Sequence, residues 1–284
     1  MNAIRGPVER LLDTAERIET EFDAASERGR LVWHRWGAGS PVVLLHGGAG
    51  SWRHWVRNVS ALLGEGRAVW APDLPGLGES SPPPRPYQPG RAAEIVATGL
   101  ASLLPECQDC DLVGFSFGAV IAGHLAARHP GLVRRLVLVG AGALGVKRAS
   151  IDMVPVRDQE GPARVDANRR NLLALMIADP AKVDALALSI QDWHVDHARV
   201  NSLSFASSTA LLDVLSQVRC PFGAIWGEFD HPAGALLPDR IAALRSIRPE
   251  LPIEVIAGAG HWVAFEAADA FNAALSRMLA GLHG

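Results

Sequence analysis

The chain is predicted to be α/β: a mostly parallel sheet flanked by helices, with a helical block inserted late in the order. Three observations predict this. Short, continuous apolar runs alternate with stretches of helical periodicity, the pattern of strands buried on both faces and covered by helices. One apolar run stops at a serine between glycines and passes at once into a helical stretch, Gly114-Phe115-Ser116-Phe117-Gly118. Finally, residues 143–215 contain no clear strand, so the alternation is interrupted and then resumes.

From the N-terminus, Pro7 to Ile18 carries Val8, Leu11, Leu12 and Ala15 at helical spacing. Two extended segments, Ile18–Phe22 and Arg30–Trp36, then flank polar residues and Gly29, as in a hairpin. Pro41 to Leu45 is a buried strand ending in His46-Gly47-Gly48-Ala49-Gly50. A helix is expected from Trp52 to Leu63, and a strand from Arg67 to Ala71 ending in Pro72-Asp73-Leu74-Pro75-Gly76-Leu77-Gly78-Glu79-Ser80. Ser81 to Pro89 is a proline-rich loop, and Arg91 to Leu104 is helical.

Asp111-Leu112-Val113 leads into the serine turn, Ala119 to Arg128 is its helix, and Arg135 to Val139 is the next strand. Helices are expected over Arg164–Ile177 and Lys182–Val200, the second started by Asp179-Pro180. Phe222–Trp226, Asp239–Ile247, Ile253–Ile256 and Ala267–Leu282 restore the strand–helix alternation. The division that follows is a core of residues 1–142 and 216–284, with 143–215 as a helical cap.

Composition narrows the function classes. In 284 residues, 49% are hydrophobic, enough for a sizeable core. The net charge is −3 without a basic run, which speaks against nucleic acid or an anionic membrane as partner. No apolar run reaches the roughly 18 residues of a membrane span. The polar N-terminus lacks a signal-peptide core, so a cytoplasmic location is the default expectation. The partner expected is a small-molecule substrate; the oligomeric state stays open, a homodimer included. Cys107-x-x-Cys110 resembles a redox or metal pair, but there is no second pair and the cysteine count is odd, so the thiols read as incidental.

A serine hydroxyl is a weak nucleophile at neutral pH and needs a base, and the base needs an orienting acid. Functional residues of such sheets gather at the carboxyl ends of strands. Two later strand ends supply the partners: Trp226-Gly227-Glu228-Phe229-Asp230 offers a carboxylate, and Gly258-Ala259-Gly260-His261-Trp262 a histidine with a glycine approach. The order Ser116, Asp230, His261 is the one a G-x-S-x-G turn calls for. Asp230 is preferred as the acid, with Glu228 the alternative. The backbone N–H groups of Phe117, at the helix start, and Gly48, after the first long strand, are the candidate oxyanion donors. No metal and no cofactor are called for. His194 and His197 near Asp192 and Asp196 fit an exposed helix face better than a metal site. Trp52, Trp55 and Trp193 could line a pocket but fit core positions better. Phe115 and Trp262 are candidates for facing the substrate, and Asp73 reads as a structural hydrogen-bonding group.

Five ordered pieces carry a resemblance: His46-Gly47-Gly48, Asp73-Leu74-Pro75-Gly76-x-Gly78-x-Ser80, the serine turn, Gly227-x-x-Asp230 and Gly260-His261-Trp262. Together the chain resembles the α/β-hydrolase superfamily in its capped, serine-dependent branch. That implies the α/β-hydrolase fold and hydrolysis through an acyl-enzyme, with a small or medium apolar ester or lactone as substrate. There is also similarity to the meta-cleavage-product carbon–carbon hydrolases, which carry Gly-His-Trp at the base and a cap arginine that holds the substrate carboxylate. The resemblance puts that arginine at Arg169 or Arg170. The chain departs from those enzymes in the large rings of Phe115 and Phe117 around the serine, and in Gly48-Ala49-Gly50 in place of a Gly-Pro-Gly-like loop. A binding protein on the same scaffold is the third reading, disfavoured because all three positions are filled. A dehalogenase would need a carboxylate where Ser116 stands.

Overall fold

The computed structural model describes residues 5–23, 28–105, 108–201 and 205–283. It places eight strands in one sheet: β1 (Glu16–Asp23), β2 (Arg28–Trp36), β3 (Ser40–Leu45), β4 (Arg67–Pro72), β5 (Cys110–Phe115), β6 (Val133–Val139), β7 (Phe222–Gly227) and β8 (Ile253–Ile256). Their spatial order is β1-β2-β4-β3-β5-β6-β7-β8. β1 and β2 form the expected hairpin, and β2 meets β4 antiparallel. Every other pairing is parallel.

The continuous apolar runs have a simple cause. Alternate residues of a strand point to opposite faces. Val43, Leu45, Leu112, Leu136 and Leu138 enter one core, and Val42, Leu44, Val113, Val137 and Val139 enter the other. Both faces are dry, so neither set can be polar. The first core is closed by α3 (Pro89–Leu103) and α4 (Phe117–Arg128), the second by α1 (Pro7–Leu12), α2 (Val59–Gly64) and α10 (Ala268–Gly281). Truncating a fully buried leucine here, such as Leu44, would cost about 2–5 kcal/mol.

Several boundaries differ from the sequence expectation. The first helix ends at Leu12, because the chain enters β1 at Glu16. The stretch from Trp52 is a tight turn over Trp52–Trp55 followed by the short α2. Between β6 and β7 the described residues hold helices and no strand: α5 (Gly161–Asn171), α6 (Ala185–His197) and α7 (Leu212–Leu215). After α5 one widened turn covers Leu172–Met176, where Ile177 N–H reaches back five residues to Leu172 O at 2.9 Å. Asp179 caps only a single turn, Pro180–Lys182, and α6 has its own cap, the Asp184 carboxylate accepting from Ala187 N–H. The chain closes through α8 (Leu237–Ile247), α9 (Val263–Glu266) and α10. Among the described residues no helix is long and apolar enough to cross a membrane. Cys107 lies outside the described residues; Cys110 is buried at the start of β5.

Candidate active site

Ser116 sits between β5 and α4 with φ 53° and ψ −112°. A non-glycine residue at positive φ stores on the order of 1–3 kcal/mol of strain. The surroundings hold it there: Ser116 N–H donates to Val139 O of the next strand at 2.8 Å. The flanking glycines are obligatory for space. A Cβ on Gly114 would lie 2.5 Å from Gly118 O, and one on Gly118 would lie 2.3 Å from Leu45 O.

The ends of β7 and β8 bring the partners together. His261 Nε2 is 2.9 Å from Ser116 Oγ, and His261 Nδ1 is 2.7 Å from Asp230 Oδ2. Since an ionised Asp230 can only accept, Nδ1 carries the proton and Nε2 is free to accept from the serine. Asp230 Oδ1 accepts from Ala233 N–H at 2.9 Å. Burial alone would push the Asp230 pKa up; the charge and hydrogen bond of His261, the Ala233 N–H and the Arg240 charge outweigh that and hold it below the ordinary value. Glu228, the alternative acid, is exposed and turned away, its carboxylate accepting from Gly258 N–H.

Ser116 and His261 open on a cavity of about 200 Å³. Gly47, Gly48 and Ala49 form one rim, and Phe117 begins α4 beside them. As the first helical residue, Phe117 has an N–H without an intrahelical acceptor. The walls are mostly apolar: Phe115, Val120, Met153, Leu175, Met176, Val200 and Phe205. The Phe117 ring does two things at once, packing against Phe205 and Tyr87 while lining the cavity. The Phe115 ring lies under His261 at 5.0 Å between centroids and also reaches the lining.

Three expected substrate contacts are not brought to this cavity. Trp262 points away, donating from Nε1 to His54 O and stacking on Phe265 at 4.2 Å. Arg170 lies on the solvent side of α5 in an ion pair with Asp166. Arg169 donates to Val183 O. The physical reason is the phase of α5, which buries Ala167, Asn168 and Asn171 and leaves both arginines off the cavity side. Trp52 and Trp55 pack in the core, and Trp193 stacks on His197 at 3.7 Å. His194 corrects the expectation of an exposed face: it is buried and meets Ser51 Oγ at 2.8 Å.

Two arginines missed in the sequence do line the cavity. Arg240 of α8 is 1% exposed and donates to Ala141 O at 3.0 Å and Pro232 O at 2.7 Å, bridging the loops after β6 and β7. Arg148 lies in the irregular stretch after β6. Its guanidinium has no hydrogen-bond or ion-pair partner among the described residues, and burial lowers its pKa. The available signal was position: Lys147-Arg148 follows the strand end Gly140-Ala141-Gly142 within a few residues.

Asp73 is fully buried and accepts from Trp52 and Glu79 N–H groups, each at 2.8 Å. Burial raises its pKa to about 6, against those bonds. Glu266 likewise binds backbone: its carboxylate accepts from Ala178, Asp179 and Gly260 N–H groups.

Residues 42–274 match the alpha/beta hydrolase family, and the chain belongs to that family. It is 41% identical over 130 residues to the 2-hydroxymuconate semialdehyde hydrolase of Pseudomonas sp. strain CF600, a match covering 45% of this chain and 44% of that enzyme. A 2-hydroxy-6-oxo-2,4-heptadienoate hydrolase of Pseudomonas putida is also matched over less than half its length, 40%. With the 2-hydroxy-6-oxo-6-phenylhexa-2,4-dienoate hydrolase of Burkholderia cepacia the identity is 23%, over 92% of this chain and 96% of the other. Among solved structures, a thermophilic esterase from Thermogutta terrifontis superposes with a TM-score of 0.70 at 23% identity, covering 95% of this chain and all of that one. A meta-cleavage product hydrolase from Pseudomonas fluorescens IP01 gives 0.70 at 21%, covering 93% and 98%. These two share the fold.

Proposed function

We propose that the chain is a serine hydrolase that works through an acyl-enzyme on a small or medium apolar ester or lactone. The observation that carries this is the unbroken relay Ser116–His261–Asp230, at 2.9 and 2.7 Å, opening on an apolar cavity. In this reading residues 143–215 are the cap over a core of 1–142 and 216–284. Ser116 Oγ attacks the carbonyl carbon as its proton passes to His261 Nε2. Asp230 orients the imidazole and stabilises its charged form without taking the proton. The Gly48 and Phe117 N–H groups hold the oxyanion, helped by the N-terminal end of α4. His261 hands the proton to the leaving oxygen, then takes one from water, which attacks the acyl carbon, and returns it to Ser116 Oγ as the acid leaves.

A second reading keeps every one of these residues and changes the leaving atom from oxygen to carbon. It is favoured by Arg148, a cation without a partner among the described residues on a mostly apolar wall, suited to the carboxylate of a ring-fission dienone acid. The names of the relatives point the same way. A panel of short esters, lactones and dienone acids tests both. Turnover of neutral esters at least as fast as the acids supports the first reading; acids turned over far faster, with esters near background, would replace it by the second. Failure of a fluorophosphonate to label Ser116 in folded protein would sink both.

A further inference from the structure

The loop that carries Gly48 is wrapped around an imidazole. His54 is 3% exposed, and its Nδ1 accepts from Gly47 N–H at 3.2 Å. The fit is close: a Cβ on Gly50 would lie 2.2 Å from the His54 ring, and one on Gly47 would lie 3.4 Å from it. Ala49, between them, takes φ 49° to complete the turn. The ring is walled edge-on by Phe115 at 5.4 Å, Trp262 at 5.0 Å and His194 at 4.8 Å between centroids. Its backbone is fixed as well, since His54 N–H donates to Ser51 O and His54 O accepts from Trp262 Nε1.

The carbonyl side of the same residue is held by a second ring. His46 Nδ1 donates to Gly47 O at 2.8 Å, while its Nε2 accepts from Leu74 N–H at 2.8 Å. Pinning both N–H and C=O of Gly47 fixes the rotation between them. The C=O of Gly47 and the N–H of Gly48 belong to one planar peptide, so the direction of the Gly48 N–H is fixed too.

We propose that His54 is a positioning residue for the oxyanion hole, acting through Gly47 to aim the Gly48 N–H at the developing charge. The proposal rests on the acyl-enzyme reading of Ser116. The role requires the neutral imidazole, because a protonated ring has no acceptor left at Nδ1. Burial, with His46 and His261 nearby, keeps its pKa well below the usual histidine value.

The test compares His54→Phe, His54→Asn and His54→Gln with the wild type. Phe fills the volume without an acceptor. Asn can offer an oxygen near the Nδ1 position, and Gln carries it one bond further out. Two readouts are taken on folded protein: kcat and KM for a 4-nitrophenyl ester, and affinity for a trifluoromethyl ketone that adds to Ser116 as a tetrahedral oxyanion. The expected result is a fall of about 10–100-fold in kcat and in ketone affinity for Phe and Gln, with KM within about twofold, and a smaller loss for Asn. If His54→Phe does not fold, the Asn and Gln variants carry the comparison. Unchanged ketone affinity, a loss confined to KM, or equal losses for Asn and Gln would overturn the proposal. Fluorophosphonate labelling of the wild type keeps the two questions apart: no label on Ser116 rejects the acyl-enzyme reading itself, whereas with Ser116 labelled the variants alone decide the role of His54.

Discussion

The two sides of the cavity are held in place by different means. On the sheet side the ladder itself fixes the strand ends that carry Ser116, Asp230 and His261: Ser116 N–H bonds to Val139 O, Gly140 N–H to Ile225 O, and Glu228 N–H to Ile256 O. On the helical side there are a few separate ties. Trp262 N–H meets Met176 O at 2.7 Å, His194 meets Ser51, Arg57 pairs with Asp184, and Glu266 gathers backbone N–H groups of Ala178 and Asp179. Position on the sheet side is over-determined by a continuous ladder, whereas the helical side is tied at separate points, by side chains such as His194, Arg57 and Glu266 and by isolated backbone bonds such as Trp262 N–H to Met176 O. On the proposed function, reaction type belongs to the first side and substrate choice to the second.

The sharpest way to break this division is at Ser116, the proposed nucleophile. Ser116→Ala should lower kcat on the order of 10⁶-fold against every substrate alike, measured by steady-state turnover. A loss confined to one substrate class would show that the helical side does chemistry. Next in size, Asp230→Asn should cost about 10⁴-fold in kcat through the wrong imidazole tautomer. Glu228→Gln, on the same turn but exposed, should leave kcat within about twofold. Equal losses would mean that the end of β7 is not as fixed as its hydrogen bonds imply.

The protein is rich in buried neutral histidine, His46, His54 and His194 near the cavity and His34 on β2, which makes it sensitive to acid. His34 and His46 are each held down to about 4 by burial, and His54 and His194 are lowered by burial as well. A histidine with a depressed folded pKa binds protons more readily when unfolded, so its contribution is present above about pH 6.5 and lost as pH falls toward 4. For the fully buried His46 that amounts to about 3 kcal/mol. Asp73, raised to about 6, works in the opposite direction over nearly the same window and offsets one such histidine. Thermal melts at pH 7, 5.5 and 4.5 should show Tm falling with each step; a flat profile would mean that these rings are already charged or exposed.

The smallest expected effect lies wholly on the helical side. Arg148→Ala should raise KM for dienone acids on the order of tenfold and leave neutral esters unaffected, while Arg169→Ala and Arg170→Ala change neither. The same loss on both substrate classes would make Arg148 a packing residue rather than a carboxylate anchor.

What could be read in the sequence follows the same line. Ser116, Asp230 and His261 lie at strand ends, where an apolar run, a halt and a glycine mark the spot without any tertiary knowledge. The parallel register then brings strand ends together. The contacts of the helical side depend on which way a helix is turned. Arg169 and Arg170 look well placed in the sequence, but α5 rotates them off the cavity. Arg148 sits in a stretch with no period to read. Arg240 resembles any surface arginine of an amphipathic helix, and only the closeness of the β6 and β7 loops makes it interior. His54 was hidden for a related reason: its partner is seven residues back, across a turn whose shape depends on the ring it encloses.

Glu266 ties these matters to access. One carboxylate holds Gly260, next to His261, and Ala178 and Asp179, which belong to the opposite wall. Trp262, on the other side of His261, adds a strap to Met176. Any outward swing of residues 176–179 must break these bonds or pull His261 out of line with Ser116. At this flank, opening the chamber and disarming the proposed base are a single event, and a door that leaves His261 in line has to hang elsewhere.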